Sequence, residues 1–150
     1  MLVSSGNPSA FAPCVVIPVY NHEGAIASVV HSVRACLVHV FLVDDGSDAG
    51  CASELERLAK LPEVTLIRHA CNQGKGAAVC TAMRAALAAG YTHALQVDAD
   101  GQHTLTDVPQ FIEAARSSPQ AVICGYPVFD ASIPKVRLYG RYLTHAMVWL

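Results

Sequence analysis

The stretch Cys14–Val19 (CVVIPV) decides the fold, because it is apolar at every position and rich in β-branched residues. A strand covered by protein on both faces has this composition, whereas a half-exposed strand alternates apolar and polar residues. Three further short apolar runs follow at His39–Val43, Val64–Ile67 and Ala94–Val97. Helix-forming stretches separate them, and this alternation predicts right-handed βαβ crossovers and a mostly parallel sheet with helices on both faces.

The remaining stretches predict further helices and one more strand. Ser53 and Glu56 have the spacing of a capping box, and Gly90 ends an alanine-rich run. After Gly125 a loop over residues 126–135 contains two prolines. We expect helices over Gly24–Val33, Ser53–Lys60 and Thr106–Arg116, and an alanine-rich helix that follows the loop Asn72–Gly76 and runs to about Ala89. We also expect a fifth strand over Ala121–Cys124 and a helix from Val136 onward.

Composition limits the class of protein. The 150 residues are 53% hydrophobic and 15% charged, against about 25% charged residues in an average soluble domain. This balance excludes a disordered chain, and the net charge of −2 argues against a nucleic-acid partner, which would require a basic face. The apolar runs are shorter than the roughly 18 residues of a membrane span, and the N-terminus lacks the basic residues of a secretory signal.

The six cysteines are scattered singly, without a C-x-x-C pair. A chain with this much apolar sequence does not need disulfides to be stable, so we expect reduced, mostly buried cysteines in a cytoplasmic protein. Zinc is disfavoured as a ligand, because no group of His and Cys residues has the spacing of a zinc site.

Polar, acidic and glycine residues cluster where four of the predicted strands end. Ligands of open α/β sheets bind beyond the carboxyl ends of the strands, so these clusters are predicted to line one site. The four clusters are Pro18–Glu23, Asp44–Ser47, Asn72–Gly76 and Asp98–His103.

Asp98 and Asp100 carry the sharpest chemical prediction. Two carboxylates one residue apart at a strand end can bind one hard cation together, or one can hold the cation while the other binds a ribose hydroxyl. Mg²⁺ or Mn²⁺ would keep coordination positions free for phosphate oxygens. Gln102 and His103 follow directly and could add a ligand. The alternative is that Asp98 caps a turn and that Asp100 with Gly101 forms a turn dipeptide.

The two middle clusters also allow two interpretations. Asp44 or Asp45 could accept hydrogen bonds from a nucleobase or a ribose, or both could cap the helix that follows. Gly74-Lys75-Gly76 lies at a predicted helix start, where free N–H groups and the helix dipole favour anions. The spacing required for a P-loop, for a dinucleotide-binding Rossmann domain (G-x-G-x-x-G) and for a nucleophile elbow (G-x-S-x-G) is absent.

In this order, the four clusters resemble the family 2 glycosyltransferases, and most of all their dolichyl- and polyprenyl-phosphate sugar synthases. The resemblance is carried by Val16–Glu23 (VIPVYNHE), Val43–Ser47 (VDDGS), Asn72–Gly76 (NQGKG) and Val97–His103 (VDADGQH). It implies a GT-A fold, a Rossmann-like three-layer α/β/α arrangement. It also implies metal-dependent, inverting transfer of a sugar from a UDP- or GDP-linked donor to a polyprenyl phosphate or other lipid, a glycan or another acceptor.

The resemblance further implies roles for individual residues. The nucleoside pocket would be lined by Pro18, Tyr20, Glu23 and Asp45, with Asp44 nearby. The substrate-binding segment after the third strand would supply Asn72, Gly74 and Lys75, with Lys75 facing the base or the diphosphate. The catalytic carboxylates would be Asp98, beside the ribose, and Asp100, which would hold Mg²⁺ or Mn²⁺ with help from Gln102.

Arg137 and Arg141 lie four residues apart on the last predicted helix and would therefore face the same way. They could clamp phosphate groups, because the guanidinium group binds phosphate through two parallel hydrogen bonds. The alternative is that both are surface residues of an amphipathic helix.

The resemblance divides the chain into a tail (residues 1–13), a nucleotide-sugar-binding domain (14–125) and the start of an acceptor-side region (126–150). Family members continue well beyond this point and often supply a carboxylate that deprotonates the acceptor, whereas Asp130 is the only acid after Gly125. We therefore expect a truncated catalytic domain. A lipid phosphate acceptor would need no general base, since it is already ionised near neutral pH.

Two alternative functions stay open at the level of sequence. One is a nucleotide-sugar-binding module without turnover. The other is a sugar nucleotidyltransferase, which would require a glycine-rich, arginine-containing loop where this chain has Tyr20–Glu23. The cysteine pattern favours a cytoplasmic location, and a peripheral association with the cytoplasmic face of the membrane stays open.

Overall fold

The computed structural model describes residues 11–125. Within this range four parallel strands form one sheet, with helices on both of its faces. The strands are β1 (Pro13–Val19), β2 (His39–Asp44), β3 (Val64–Arg68) and β4 (His93–Gln96). The helices are α1 (Glu23–Arg34), α2 (Ala49–Leu58), α3 (Lys75–Ala88) and α4 (Val108–Ser117), the last preceded by a 3₁₀ turn over Leu105–Asp107.

The strand order β3-β2-β1-β4 determines where a ligand can bind. The chain moves outward from β1 to β2 and β3, and then crosses back to place β4 on the other side of β1. Helix α1, which follows β1, packs on one face of the sheet, and helix α3, which leads into β4, packs on the other. The strand order therefore reverses between β1 and β4, which opens a crevice at the carboxyl ends of these strands.

The central strand β1 is buried on both faces, as its composition predicts. Val15, Ile17 and Val19 pack into the core beneath α1 and α2, whereas Cys14 and Val16 pack into the core beneath α3. Each fully buried aliphatic side chain of this kind stabilises the fold by about 1.5–3 kcal/mol. Helices thus pack on both faces of the sheet, and residues at the carboxyl ends of its strands are held in fixed positions.

Helix α3 approaches the sheet through small side chains. Ala78, Ala82 and Ala86 are buried against Val16 and Phe41. Four-residue spacing places the three alanines on one face of the helix, and the missing side-chain bulk lets the helix axis lie close to the strands. The start of α3 is consequently drawn in toward the carboxyl ends of β1 and β2.

The structure corrects four sequence-based expectations. Helix α2 starts earlier than Ser53, since Asp48 is its N-cap and accepts a hydrogen bond from the Cys51 N–H. Helix α4 starts later than Thr106, because residues 105–107 form the 3₁₀ turn. Ala121–Cys124 is not a strand: it pairs with no strand of the described range, and Val122 is 89% exposed.

The fourth correction concerns the cysteines. All six are free, as expected, but only Cys14 and Cys51 are buried. Cys36 is partly buried, and the exposed ones are Cys71, Cys80 and Cys124. The predicted helix from Val136 lies outside the described residues, and the division of the chain at Gly125 stays a prediction.

Candidate active site

A cleft of about 270 Å³ opens at the carboxyl edge of the sheet, beside the point where the strand order reverses. All four clusters that the sequence singles out contribute to it. Of the predicted site residues, it is lined by Pro18, Tyr20, Asp45, Asn72, Lys75, Asp98 and Asp100. Residues separated by up to about 80 positions in the sequence thus come together because parallel strands end at the same edge.

Asp45 lines one side of the cleft and is only 3% exposed. Its Oδ1 accepts hydrogen bonds from His69 Nδ1 (2.7 Å) and the Gln73 N–H (2.9 Å), and its Oδ2 accepts one from the Gly74 N–H (2.8 Å). Burial raises the pKa of Asp45, but these hydrogen bonds outweigh it and hold the pKa below its ordinary value. The group is therefore a charged carboxylate whose orientation is fixed by three donors.

The segments around Asp45 lie in close contact. Gly46 has φ +77°, and a Cβ atom at this position would lie 2.6 Å from the backbone nitrogen of Asn72. Any side chain would clash with the backbone at Cys71 and Asn72, so only glycine allows the two segments to approach this closely. Asp45, Gly46, His69 and the loop Cys71–Gly74 are called the Asp45 wall below.

The other side of the cleft is lined by Asp98, Ala99 and Asp100. These residues begin the segment Asp98–His103, called the Asp98 turn below. Lys75 Nζ lies 2.7 Å from Asp98 Oδ1, which also accepts a hydrogen bond from Gln96 Nε2 at 3.2 Å. His103 Nε2 lies 3.6 Å from Asp98 Oδ2. Burial raises the pKa of Asp98, but the hydrogen bonds from Lys75 and Gln96 and the nearby positive charges leave this pKa below its ordinary value.

Asp100 has fewer partners within the described range. Its Oδ1 accepts a hydrogen bond from the Gln102 N–H at 3.0 Å, which is the turn geometry that the sequence offered as the alternative for this residue. Asp100 nevertheless also lines the cleft. The turn and the site are thus compatible, because one oxygen shapes the loop while the carboxylate borders the cavity.

The donor set of the Asp98 turn fits a hard divalent cation of the Mg²⁺ or Mn²⁺ type. Residues 11–125 hold no group of three or more His, Cys, Asp or Glu side chains arranged as a metal site. Mg²⁺ does not require one, since it is typically bound through one or two carboxylates together with water and substrate phosphates. Asp98 and Asp100 are the two carboxylates that border the same cleft at this turn.

Four of the predicted site residues are described but do not line the cleft. Asp44 is fully buried, with Oδ2 bound by Arg68 Nε (2.8 Å) and Oδ1 by the Ser47 N–H (2.8 Å), so it holds the chain behind Asp45. Glu23 begins α1 and is exposed. Gly74 contributes its N–H to Asp45, and Gln102 is exposed with its N–H on Asp100.

Arg137 and Arg141 lie outside the described residues, so their proposed clamping of phosphates stays a prediction. Beyond the predicted set, the cleft is also lined by Val19, His22, Ala78 and Ala99. His22 belongs to the first cluster, so its position at a strand end could have placed it there. His69 and Thr81, which support Asp45 from behind, have no such local signal.

In the described part of the chain, no helix combines the length and the apolar character that crossing a membrane requires.

Residues 14–148 match the sequence profile of the family described as glycosyl transferase family 2. The chain belongs to this family. It is 31% identical over 113 residues to a polyprenol monophosphomannose synthase of Mycolicibacterium smegmatis, covering 73% of this chain and 43% of that protein. It is 30% identical over 125 residues to a UDP-N-acetylglucosamine–dolichyl-phosphate N-acetylglucosaminyltransferase of Methanococcus voltae, covering 74% of this chain and 50% of that protein.

Solved structures of glycosyltransferases share the fold. The mannosyltransferase PcManGT of Pyrobaculum calidifontis, in complex with GDP-Man and Mn²⁺, superposes with a TM-score of 0.52 at 27% identity, over 59% of this chain and 27% of that one. TarS of S. aureus, in complex with UDP, gives a TM-score of 0.55 at 24% identity, over 70% and 33%. The fold is therefore GT-A, as predicted, and the chain spans about half the length of the curated relatives it matches.

Proposed function

We propose that this chain carries the nucleotide-sugar site of a metal-dependent, inverting glycosyltransferase that uses a UDP- or GDP-linked donor. The observation that supports this most is the meeting of two unlike groups of residues in one cleft: a fixed, buried carboxylate at Asp45, and the carboxylate pair Asp98 and Asp100 beside Lys75. A nucleotide diphosphate sugar has two matching parts, a nucleoside rich in hydrogen-bond donors and a diphosphate that binds cations.

The nucleoside is proposed to bind on the side of Asp45. A carboxylate has about four acceptor positions, and three of those on Asp45 are taken by His69, Gln73 and Gly74. The position that is left, on Oδ2, would accept an N–H of the base or a hydroxyl of the ribose. Pro18 and Tyr20 line the same cleft, and Tyr20 is 48% exposed, so its ring is accessible for contact with the nucleoside.

The diphosphate is proposed to bind on the side of Lys75 and the Asp98 turn. Asp98 and Asp100 would hold Mg²⁺ or Mn²⁺, and Lys75 would add a second positive charge. The metal, when bound, neutralises the negative charge that develops on the departing nucleoside diphosphate. In the transfer itself, an acceptor oxygen bonds to the anomeric carbon as the bond from that carbon to the diphosphate breaks, and the electron pair leaves with the diphosphate.

The proposed acceptor is a polyprenyl phosphate, by analogy with the names of the relatives. Such an acceptor is an anion at neutral pH, so it can attack without a general base from the protein. The polyprenyl tail of such an acceptor stays in the bilayer, and its phosphate lies at the membrane surface. The protein is therefore proposed to act at the cytoplasmic face of a membrane.

The proposal is tested by thermal unfolding with nucleotide sugars, in the presence and absence of Mn²⁺. A ligand at 100 times its Kd adds about 2.7 kcal/mol to the free energy of unfolding, which is readily detected. We expect a stabilisation by UDP- or GDP-sugars that Mn²⁺ increases, and we expect Asp100→Ala to lose the Mn²⁺-dependent part. Glu113→Ala, which removes an exposed carboxylate from α4, is the matched control.

The absence of a shift with every nucleotide sugar would refute the proposal. If binding is found, transfer of labelled sugar to a polyprenyl phosphate in detergent micelles tests turnover, and the anomeric configuration of the product tests inversion. Binding without transfer or donor hydrolysis by this chain would favour the alternative of a binding module.

A further inference from the structure

His69 is a titratable residue with a largely buried side chain, and the proposed function assigns it no role. Its side chain is 8% exposed, and both ring nitrogens are hydrogen-bonded. Nδ1 contacts Asp45 Oδ1 at 2.7 Å, and Nε2 contacts Thr81 Oγ1 at 3.0 Å. His69 therefore connects the cleft carboxylate with helix α3.

The backbone places His69 beside Asp45. The His69 N–H donates to the Asp44 carbonyl at 2.9 Å, which continues the pairing of β2 with β3 beyond the last residue of β3. Thr81 lies on α3, two turns after its start, and is partly buried. The imidazole is thus held at its backbone and at both ring nitrogens.

The partners determine which ring nitrogen carries the proton. The Asp45 carboxylate can only accept, so Nδ1 of His69 must be the donor. In the neutral ring Nε2 is then an acceptor, and it takes the hydroxyl hydrogen of Thr81. With a neutral ring, the hydrogen bonds run in one direction, from Thr81 through His69 to Asp45, and each one orients the next group.

This arrangement controls the direction in which Asp45 faces the cleft. With Oδ1 filled by His69 and Gln73, rotation of the carboxylate would break two hydrogen bonds at once. We propose that His69, held by Thr81, is a positioning residue that fixes the free acceptor position of Asp45 toward the nucleoside. The inference rests on the proposed function, in which Asp45 binds the nucleoside part of the donor.

A matched pair of substitutions separates the two hydrogen bonds of His69. The amide of asparagine can take the place of Nδ1, so His69→Asn keeps a hydrogen-bond donor for Asp45 and loses the hydrogen bond with Thr81. The amide of glutamine reaches the place of Nε2, so His69→Gln keeps the hydrogen bond with Thr81 and loses the donor for Asp45. Thr81→Val, which removes one hydroxyl without a change of volume, tests the support of the ring, and His31→Asn on the exposed face of α1 is the control.

The measurement is the Kd of UDP and of GDP in the presence of Mn²⁺, by calorimetry, with inorganic pyrophosphate and Mn²⁺ as the probe that lacks a nucleoside. For whichever of the two nucleotides binds more tightly, we expect His69→Gln to raise the Kd by about tenfold or more, since a hydrogen bond to a charged group is lost. Thr81→Val should raise it by a smaller factor, and His69→Asn should stay within about threefold of the wild type. Pyrophosphate binding should be unchanged in all variants.

Two results would overturn the inference while leaving the proposed function in place. One is wild-type nucleotide affinity in both His69→Gln and Thr81→Val. The other is an equal loss of pyrophosphate and nucleotide binding, which would indicate a general disruption of the cleft rather than a misplaced Asp45. If the wild type binds neither nucleotide, the proposed function fails and this inference fails with it.

Discussion

Asp45 and Asp98 border the same cleft, but the protein holds them in opposite ways. Asp45 is 3% exposed, and its partners are two backbone N–H groups and a histidine that is itself buried. The Asp98 side chain is 27% exposed, and the Lys75 side chain that binds it is 57% exposed. Both carboxylates are charged, yet one is built into the fold and the other is paired at the surface.

The difference indicates a division of labour within the cleft. The hydrogen bonds to Asp45 form as the chain folds, so the carboxylate needs no reorganisation when a ligand binds. A preorganised group of this kind favours a ligand whose hydrogen-bond donor fits its fixed position. An exposed ion pair contributes little to stability and can exchange partners. The Asp98 turn is thus suited to a group that arrives with the ligand, such as a metal ion with a diphosphate.

If the Asp45 wall is part of the fold, Gly46→Ala should have the largest effect on stability. The new Cβ would lie 2.6 Å from the Asn72 nitrogen, and φ is +77°. The backbone clash and the left-handed conformation together should lower the free energy of unfolding by about 3 kcal/mol. Urea denaturation measures this value. Gly50→Ala is the control: its Cβ would meet no atom closer than 3.5 Å, so stability should change little or rise, and equal losses in both variants would refute the close-contact argument.

The next largest effect is expected from Asp45→Asn. Three donors face the two oxygens of Asp45, and the asparagine NH₂ would turn one of these contacts into a donor facing a donor. Leaving a buried donor without its acceptor should cost about 2 kcal/mol of the free energy of unfolding. Asp48→Asn is the matched control, because asparagine caps a helix as well as aspartate does and can still accept from the Cys51 N–H.

Low pH should reduce the difference in unfolding free energy between the wild type and Asp45→Asn. Since the pKa of Asp45 is lowered in the folded state, its charge stabilises the fold at pH values above the unfolded pKa of about 3.9. This contribution is lost as the pH falls through the lowered pKa of the folded state. The difference in unfolding free energy between wild type and Asp45→Asn should therefore shrink between pH 7 and pH 3. A difference that is independent of pH would mean that the charge of Asp45 plays no part.

Much of this cleft could be predicted from the sequence, because strand ends leave a local signal. Cys14–Val19 identifies a buried parallel strand, and the polar residues that follow such strands must lie at one edge of the sheet. His69 could not be predicted in this way. Its partners Asp45 and Thr81 are 24 and 12 residues distant, and a single histidine after a strand has no periodicity or spacing that announces them.

The errors in the elements have a similar origin. Asp48 and Ser53 are both acceptable N-caps by residue type, and the structure chooses Asp48 because Cys51 and Leu55 are then buried on the same helix face. Ala121–Cys124 has the composition of a strand, but strand propensity depends on a neighbouring strand with which to pair. In residues 11–125 no strand takes that place.

Lys75→Met should have the smallest effect on stability, and it tests the comparison between Asp45 and Asp98 at the Asp98–Lys75 ion pair. An exposed ion pair contributes about 0–1 kcal/mol, so the free energy of unfolding should barely change, as in the control Lys60→Met. The affinity for a nucleoside diphosphate with Mn²⁺ should nevertheless fall, because a cation beside the diphosphate is lost, whereas the affinity for the free nucleoside should not. A substitution at Lys75, the partner of Asp98, would then change binding more than stability, whereas substitutions in the Asp45 wall would chiefly lower stability. A loss of stability in Lys75→Met as large as that in Asp45→Asn would contradict this division, since it would make the lysine as much a part of the fold as the buried carboxylate.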